Sequence, residues 1–109
     1  GTHITKNKIT RTDGTLMTAQ SLAILELYTT NIDCSAYTSL RLIGIATEPF
    51  NIYGSIDDVD YYLIYTVYPE TNLNHLNHFN YKFEHPPKYI KIKNGSNANT
   101  ATIHYDLTH

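Results

Sequence analysis

The sequence predicts an all-β domain with about eight short strands, an antiparallel β-sandwich or small barrel. Three observations predict it. The 109 residues favour types that suit a pleated, half-buried surface, with 10 tyrosines and frequent isoleucine and threonine. Apolar and polar side chains alternate with period two along several stretches. Turn-forming clusters break the chain at roughly ten-residue intervals, the spacing of sandwich and barrel strands.

The elements follow in order. Residues 4–12 alternate weakly, and Asp13-Gly14 is a turn signal. Residues 1–21 together read as an arm or linker. Residues 22–28 are strongly apolar, and their shortness and the Thr29-Thr30-Asn31 exit favour a strand over a helix. Ser39–Ala46 reads as a strand with Leu40 and Leu42 on one face and Ile43 and Ile45 on the other. Pro49 interrupts the ladder, because proline has no N–H to donate. Residues 50–53 form a short strand with Phe50 and Ile52 inward, and residues 54–58 a turn. Residues 61–68 form the next strand, closed by Pro69. Residues 70–77 are polar and asparagine-rich, a loop. Phe79, Tyr81 and Phe83 alternate with Asn80 and Lys82, a half-buried strand ended by Pro86-Pro87. Residues 89–93 place Ile90 and Ile92 on the core side. Asn94-Gly95 begins a turn, and Ala101, Ile103, Tyr105 and Leu107 alternate on the return strand, so the chain is expected to close on a hairpin.

Residues 1–109 are read as one sandwich domain, with enough chain to bury a core without a disulfide or metal. The chain opens Gly1-Thr2-His3 without methionine, which reads as a fragment of a longer protein. Charged residues make up 17% and apolar residues 41%, a globular balance. The net charge is −2, and the densest basic group is the spaced trio Lys88, Lys91 and Lys93. That is no footprint for nucleic acid. No apolar run approaches the roughly 20 residues of a membrane-spanning helix.

The residues that carry chemistry elsewhere find bland readings here. Cys34 sits in an apolar-rich stretch with no local base, which suits a buried small hydrophobe better than a nucleophile. Asp57, Asp58 and Asp60 are close in sequence but lack the alternating carboxylates, central glycine and distal glutamate of a calcium loop. A solvated turn explains them. His75 and His78, with His85 nearby, have zinc-like spacing, yet they flank loop and strand and no cysteine is near. These five residues (His75, His78, Asp57, Asp58, Asp60) are the weak metal candidates; no cofactor is expected. No nucleophile elbow, zinc-protease motif or phosphate loop occurs, and no two acids are paired by the sequence. The chain is therefore read as non-enzymatic. Asn94-Gly95-Ser96 is a glycosylation sequon in form, but turn chemistry accounts for it.

The tyrosines are informative. Tyr61 and Tyr62 are adjacent, so they point to opposite faces of their strand. Leu63, Tyr65 and Val67 continue one face, Ile64 and Tyr68 the other. Ser39–Ala46 has the same two-sidedness. A sandwich strand ordinarily shows water one polar face. Ile43, Ile45, Tyr62, Ile64 and Tyr68 are thus expected to form a subunit or ligand face. Another subunit, a neighbouring domain, a stacked sugar or a loop of the same chain such as residues 70–77 are the candidate covers. Asn72, Asn74 and Asn77 are the candidate glycan-binding loop.

Three segments carry a resemblance. Ile32-Asp33-Cys34-Ser35-Ala36-Tyr37-Thr38-Ser39-Leu40-Arg41-Leu42 is similar to I-D-V-S-G-Y-x-S-L-R-V. Residues 50–58 are similar to F-x-V-x-G-S-x-D-G. Pro87-Lys88-Tyr89-Ile90-Lys91-Ile92-Lys93-Asn94, with residues 100–105, resembles P-R-Y-I-R-I-K-N-x…A-T-V. Together, over residues 31–107, they resemble small β-sandwich modules of tailed-phage virion proteins such as head fibres, decoration proteins and tail or baseplate appendages, which implies an antiparallel, jelly-roll-like sandwich. Related patterns occur in discoidin-like carbohydrate-binding domains. Asp58 stands where the pattern has glycine, and Cys34-Ser35-Ala36 where it has Val-Ser-Gly. The pattern has no catalytic residues to transfer. The resemblance implies a virion-surface location, other virion proteins or a host-surface glycan as partners, and a homo-oligomer, most often a trimer.

Overall fold

The computed structural model describes residues 10–71 and 77–109. Eight strands are formed: β1 (Arg11–Leu22), β2 (Ile32–Asp33), β3 (Ser39–Ala46), β4 (Phe50–Ser55), β5 (Tyr62–Val67), β6 (His78–Glu84), β7 (Tyr89–Asn94) and β8 (Asn99–Thr108). They make two four-stranded antiparallel sheets, ordered β1-β8-β3-β6 and β2-β7-β4-β5. This is the strand order of a jelly roll, in which successive strands wrap from one sheet to the other.

The inward members of the alternating strands fill the space between the sheets. Leu40, Leu42, Phe50, Ile52, Ile90, Ile92 and Ile103 are fully buried. The Phe50 ring meets Phe79 edge-on at 5.1 Å, joining β4 of one sheet to β6 of the other. Tyr65 of β5 stacks on Tyr81 of β6 at 3.9 Å. The two edge strands β5 and β6 therefore lie along the same side of the sandwich.

Three local expectations are corrected. Residues 11–22, expected within an arm or linker, are β1, paired along β8 from Arg11↔Thr108 to Leu22↔Asn99. Asp13-Gly14 lies inside that strand. Gly14 is there because a Cβ would come 2.6 Å from the Tyr105 hydroxyl across the ladder. Residues 22–28 are not one strand: beyond Leu22 the chain turns, leaving Ile24 and Leu25 exposed, and only residues 26–28 pair again, with β7 through the Leu27↔Lys93 bridge. The Glu26 carboxylate accepts the Ala23 N–H at 2.8 Å, and the Glu26 N–H returns to the Ala23 carbonyl at 3.1 Å. Such local bonds compete with a ladder.

The third correction concerns the last two strands. β7 and β8 are not a hairpin, for they belong to opposite sheets. β4 and β5 are the one consecutive pair among the described strands that share a sheet. Residues 95–98 bridge the sheets instead, because the side chains of Asn94 and Asn99 turn inward at either end and bond to each other at 3.1 Å.

Candidate functional site

The outward members of the doubly apolar strands are uncovered. Ile43 and Ile45 stand on the outer face of β3, and Ile45 is 52% exposed. Tyr62, Leu63, Ile64 and Tyr65 are four consecutive exposed residues of β5, with Tyr62 at 69% and Ile64 at 39%. Tyr68 follows the strand at 70%. Ile43 and Ile45 are on one sheet and Tyr62 and Ile64 on the other, so the five residues do not form one surface.

The β5 edge has a distinct composition. Edge strands offer unpaired backbone groups, and proteins protect them with charge, bulges or brevity. Among the described strands, β1 carries Arg11 and Asp13 and two register shifts. β2 has two residues. β6 carries Lys82 and Glu84, paired at 3.2 Å. β5 has no charged residue, and its one register shift, opposite Ile52 and Tyr53, lies within the exposed run.

A groove of about 340 Å³ lies near the end of this edge. Asn51, Thr66 and Tyr68 line one side and Gly95-Ser96-Asn97 the other, with Pro49 at its border. The Thr66 hydroxyl donates to Asn51 Oδ1 at 2.7 Å, and Asn97 Nδ2 donates to the Glu48 carboxylate at 3.0 Å. Residues 95–97 are anchored from the core. Buried Asn94 donates through Nδ2 to the carbonyls of Asn97 at 2.8 Å and Ala23 at 2.9 Å. Asn99 Oδ1 accepts from the Thr47 N–H at 3.0 Å, the Thr47 hydroxyl at 3.0 Å and the Glu48 N–H at 3.2 Å. Sequence reasoning took Asn94-Gly95-Ser96 for a hairpin turn and missed both buried amides. The density of asparagine over residues 94–99 was the available signal, but a buried amide and a turn amide look alike in sequence. With its amide enclosed, Asn94 is closed to a glycosyl donor in the folded chain.

A larger depression, about 490 Å³, lies between β1, β3 and β8. Three of its basic side chains have local partners. Arg11 forms a two-pronged pair with Asp106 at 2.8 and 2.9 Å, Arg41 donates to Asn80 at 2.6 Å, and His104 bonds Thr15 at 2.9 Å.

The acidic run holds its own turn. Asp57 Oδ1 accepts the N–H groups of Val59 at 2.9 Å and Asp60 at 3.0 Å and the Ser55 hydroxyl at 2.9 Å. These bonds, the backbone ones foremost, hold its carboxyl below the usual carboxylate range. Asp58 accepts from the Tyr61 hydroxyl and the Asn31 amide, which lower it likewise. His78 begins β6, where its backbone pairs with Glu70. His85 lies beyond the far end of β6 with its N–H on the Thr38 carbonyl at 2.7 Å. Among the described residues no three His, Cys, Asp or Glu side chains come together as a metal site. Asn72, Asn74 and His75 lie outside the described residues; Asn77 receives the Thr71 hydroxyl at 3.4 Å. Cys34 is buried, and burial pushes its thiol up to about 12, so it stays protonated at neutral pH. Among the described residues no helix is long and apolar enough to cross a membrane. The chain matches no protein-family model, no curated protein and no solved structure.

Proposed function

We propose that this domain is a non-enzymatic assembly module of a virion surface that joins a further copy of itself, with a homotrimer as the working state, and serves particle structure or host adhesion. One observation carries the reading: β5 is an uncharged, aromatic-rich sheet edge with four consecutive exposed residues. Left open, such a segment pairs indiscriminately with other chains. Tyr62, Leu63, Ile64, Tyr65 and Tyr68 together expose on the order of 500 Å², at roughly 150–250 Å² per aromatic ring. A standard interface uses about 800 Å² per partner, so this edge supplies most of one. The jelly-roll order accords with this reading without choosing it, since jelly rolls occur in capsids and lectins alike. The virion setting itself rests on the resemblance of residues 31–107.

Light scattering tests the assembly. The wild-type domain is expected at three times the chain mass. Ile64→Asp places a charge on the edge and Tyr62→Ser removes the most exposed ring within β5, and both are expected to give the single-chain mass with an unchanged circular dichroism spectrum. A wild-type chain that stays monomeric at every concentration overturns the proposal.

A second reading, a carbohydrate-binding module, has one observation in its favour: the uncharged groove beside Tyr68.

A further inference from the structure

We infer that the groove bounded by Tyr68, Asn51, Thr66 and residues 95–97 is a binding site for a neutral saccharide. The inference rests on the carbohydrate-binding reading, and it takes Thr66 and Tyr68 at the end of the β5 edge as part of the site.

The lining selects the ligand class. No charged side chain lines the groove, and the Glu48 carboxylate beside it is engaged by the Asn97 amide. Its polar groups are amides and hydroxyls, which donate and accept with equal ease. Thr66 and Asn51 direct each other: the hydroxyl donates to Asn51 Oδ1, which leaves Asn51 Nδ2 as a donor and the Thr66 oxygen as an acceptor. Asn97 is oriented in the opposite sense, for its Nδ2 is taken by Glu48 and its Oδ1 remains an acceptor. A sugar ring presents hydroxyls of both characters along its rim and C–H groups on its face. Tyr68 supplies the platform for that face: its ring is 70% exposed, the cost of that exposure is recovered when an apolar surface covers it, and Pro69 holds its backbone extended.

The groove is also built in advance. Asn94 and Asn99 spend their buried amides on fixing residues 95–97 and Thr47-Glu48, so little order remains to be imposed when a ligand enters. Its volume, about 340 Å³, falls at the lower end of small-ligand sites, roughly 300–1,000 Å³.

Maltose, cellobiose, lactose and N,N′-diacetylchitobiose are the probes, titrated into the ¹⁵N-labelled domain and read by amide chemical shifts. At least one of them is expected to move the signals of Asn51, Thr66 and residues 95–97 and leave the β1–β8 ladder unmoved. Tyr68→Ala, at an exposed position that leaves the fold intact, is expected to weaken that binding roughly tenfold, about 1.4 kcal/mol. Tyr68→Phe keeps the ring and is expected to keep the affinity. If a sugar shifts other signals and Tyr68→Ala leaves those shifts unchanged, the carbohydrate reading stands and the groove assignment falls. If none of the four moves any signal, both fall.

Discussion

Asn94 and Asn99 are the two buried amides of the core, and between them they tie down the backbone on both sides of residues 95–98. Asn94→Ala takes that donor from the carbonyls of Leu22 and Asn97 and leaves the Ala23 carbonyl only the Glu26 N–H, and Asn99→Ala takes the Glu48 N–H's acceptor and leaves the Thr47 N–H only the Thr100 carbonyl. Each substitution is expected to cost about 3 kcal/mol in urea unfolding, since buried unsatisfied groups cost roughly 1–3 kcal/mol each. Because the two amides bond each other, the double mutant is expected to lose less than the sum, by about 1–2 kcal/mol. Additive losses would show that the two act separately. Asp57 makes a different prediction. Its folded pKa is lowered by bonds from Asp60, Val59 and Ser55, so the stability it contributes is complete above the unfolded value near 4 and is lost as pH falls through the folded one. Asp57→Asn keeps an oxygen to accept those bonds but does not titrate. Its unfolding midpoint is expected to fall less steeply than wild type below about pH 4; parallel acid curves would remove Asp57 from the account.

Strands were legible where one face is core and the other is not. Ser39–Ala46 matches β3 residue for residue, and the alternations of Phe79, Tyr81 and Phe83 and of Ile90 and Ile92 mark β6 and β7. Period two reports which way a side chain faces and says nothing of which strand lies alongside. That is why Asn94-Gly95 suggested a hairpin where the chain changes sheets. The same limit hid the β5 groove, whose two sides come from residues some thirty positions apart in sequence, and it merged Ile43 and Tyr62 into one face although they lie on opposite sheets. Residues 22–28 misled because apolar content was read without the Glu26 carboxylate that closes the turn. Gly44 shows what a strand interior demands beyond pattern: a Cβ there would meet the Thr102 carbonyl oxygen of β8 at 1.9 Å. Gly44→Ala is expected to push β3 and β8 apart and cost on the order of 3 kcal/mol or more, visible as a lowered thermal midpoint. A midpoint within a degree or two of wild type would mean that the ladder yields freely there. Tyr65, which alternation places on one face with buried Val67, is 37% exposed and stacked on Tyr81, so its truncation should cost far less than that of fully buried Phe50.

The wrapping of the chain sets how the molecule folds. A jelly roll gathers its pairs from distant positions: β1 meets β8 through Arg11↔Thr108, and β3 lies between β8 and β6. Each such ladder must close a long loop before its contacts stabilise anything, which places refolding in the milliseconds-to-seconds range of sandwich proteins. The β4–β5 hairpin is the exception, joined by residues 56–61, whose turn Asp57 and Asp58 hold closed. It forms with the smallest loop and so belongs to the early part of the route. Ile52 of β4 and Ile103 of β8 are both fully buried, so Ile52→Val and Ile103→Val remove the same methylene from equivalent surroundings, at roughly 0.5–1.5 kcal/mol each. Ile52→Val is expected to slow refolding and give the larger φ-value; Ile103→Val is expected to act mainly on unfolding. The reverse order would place the nucleus at the β8 ladders and would mean that the turn held by Asp57 and Asp58 closes only after the sheets have met.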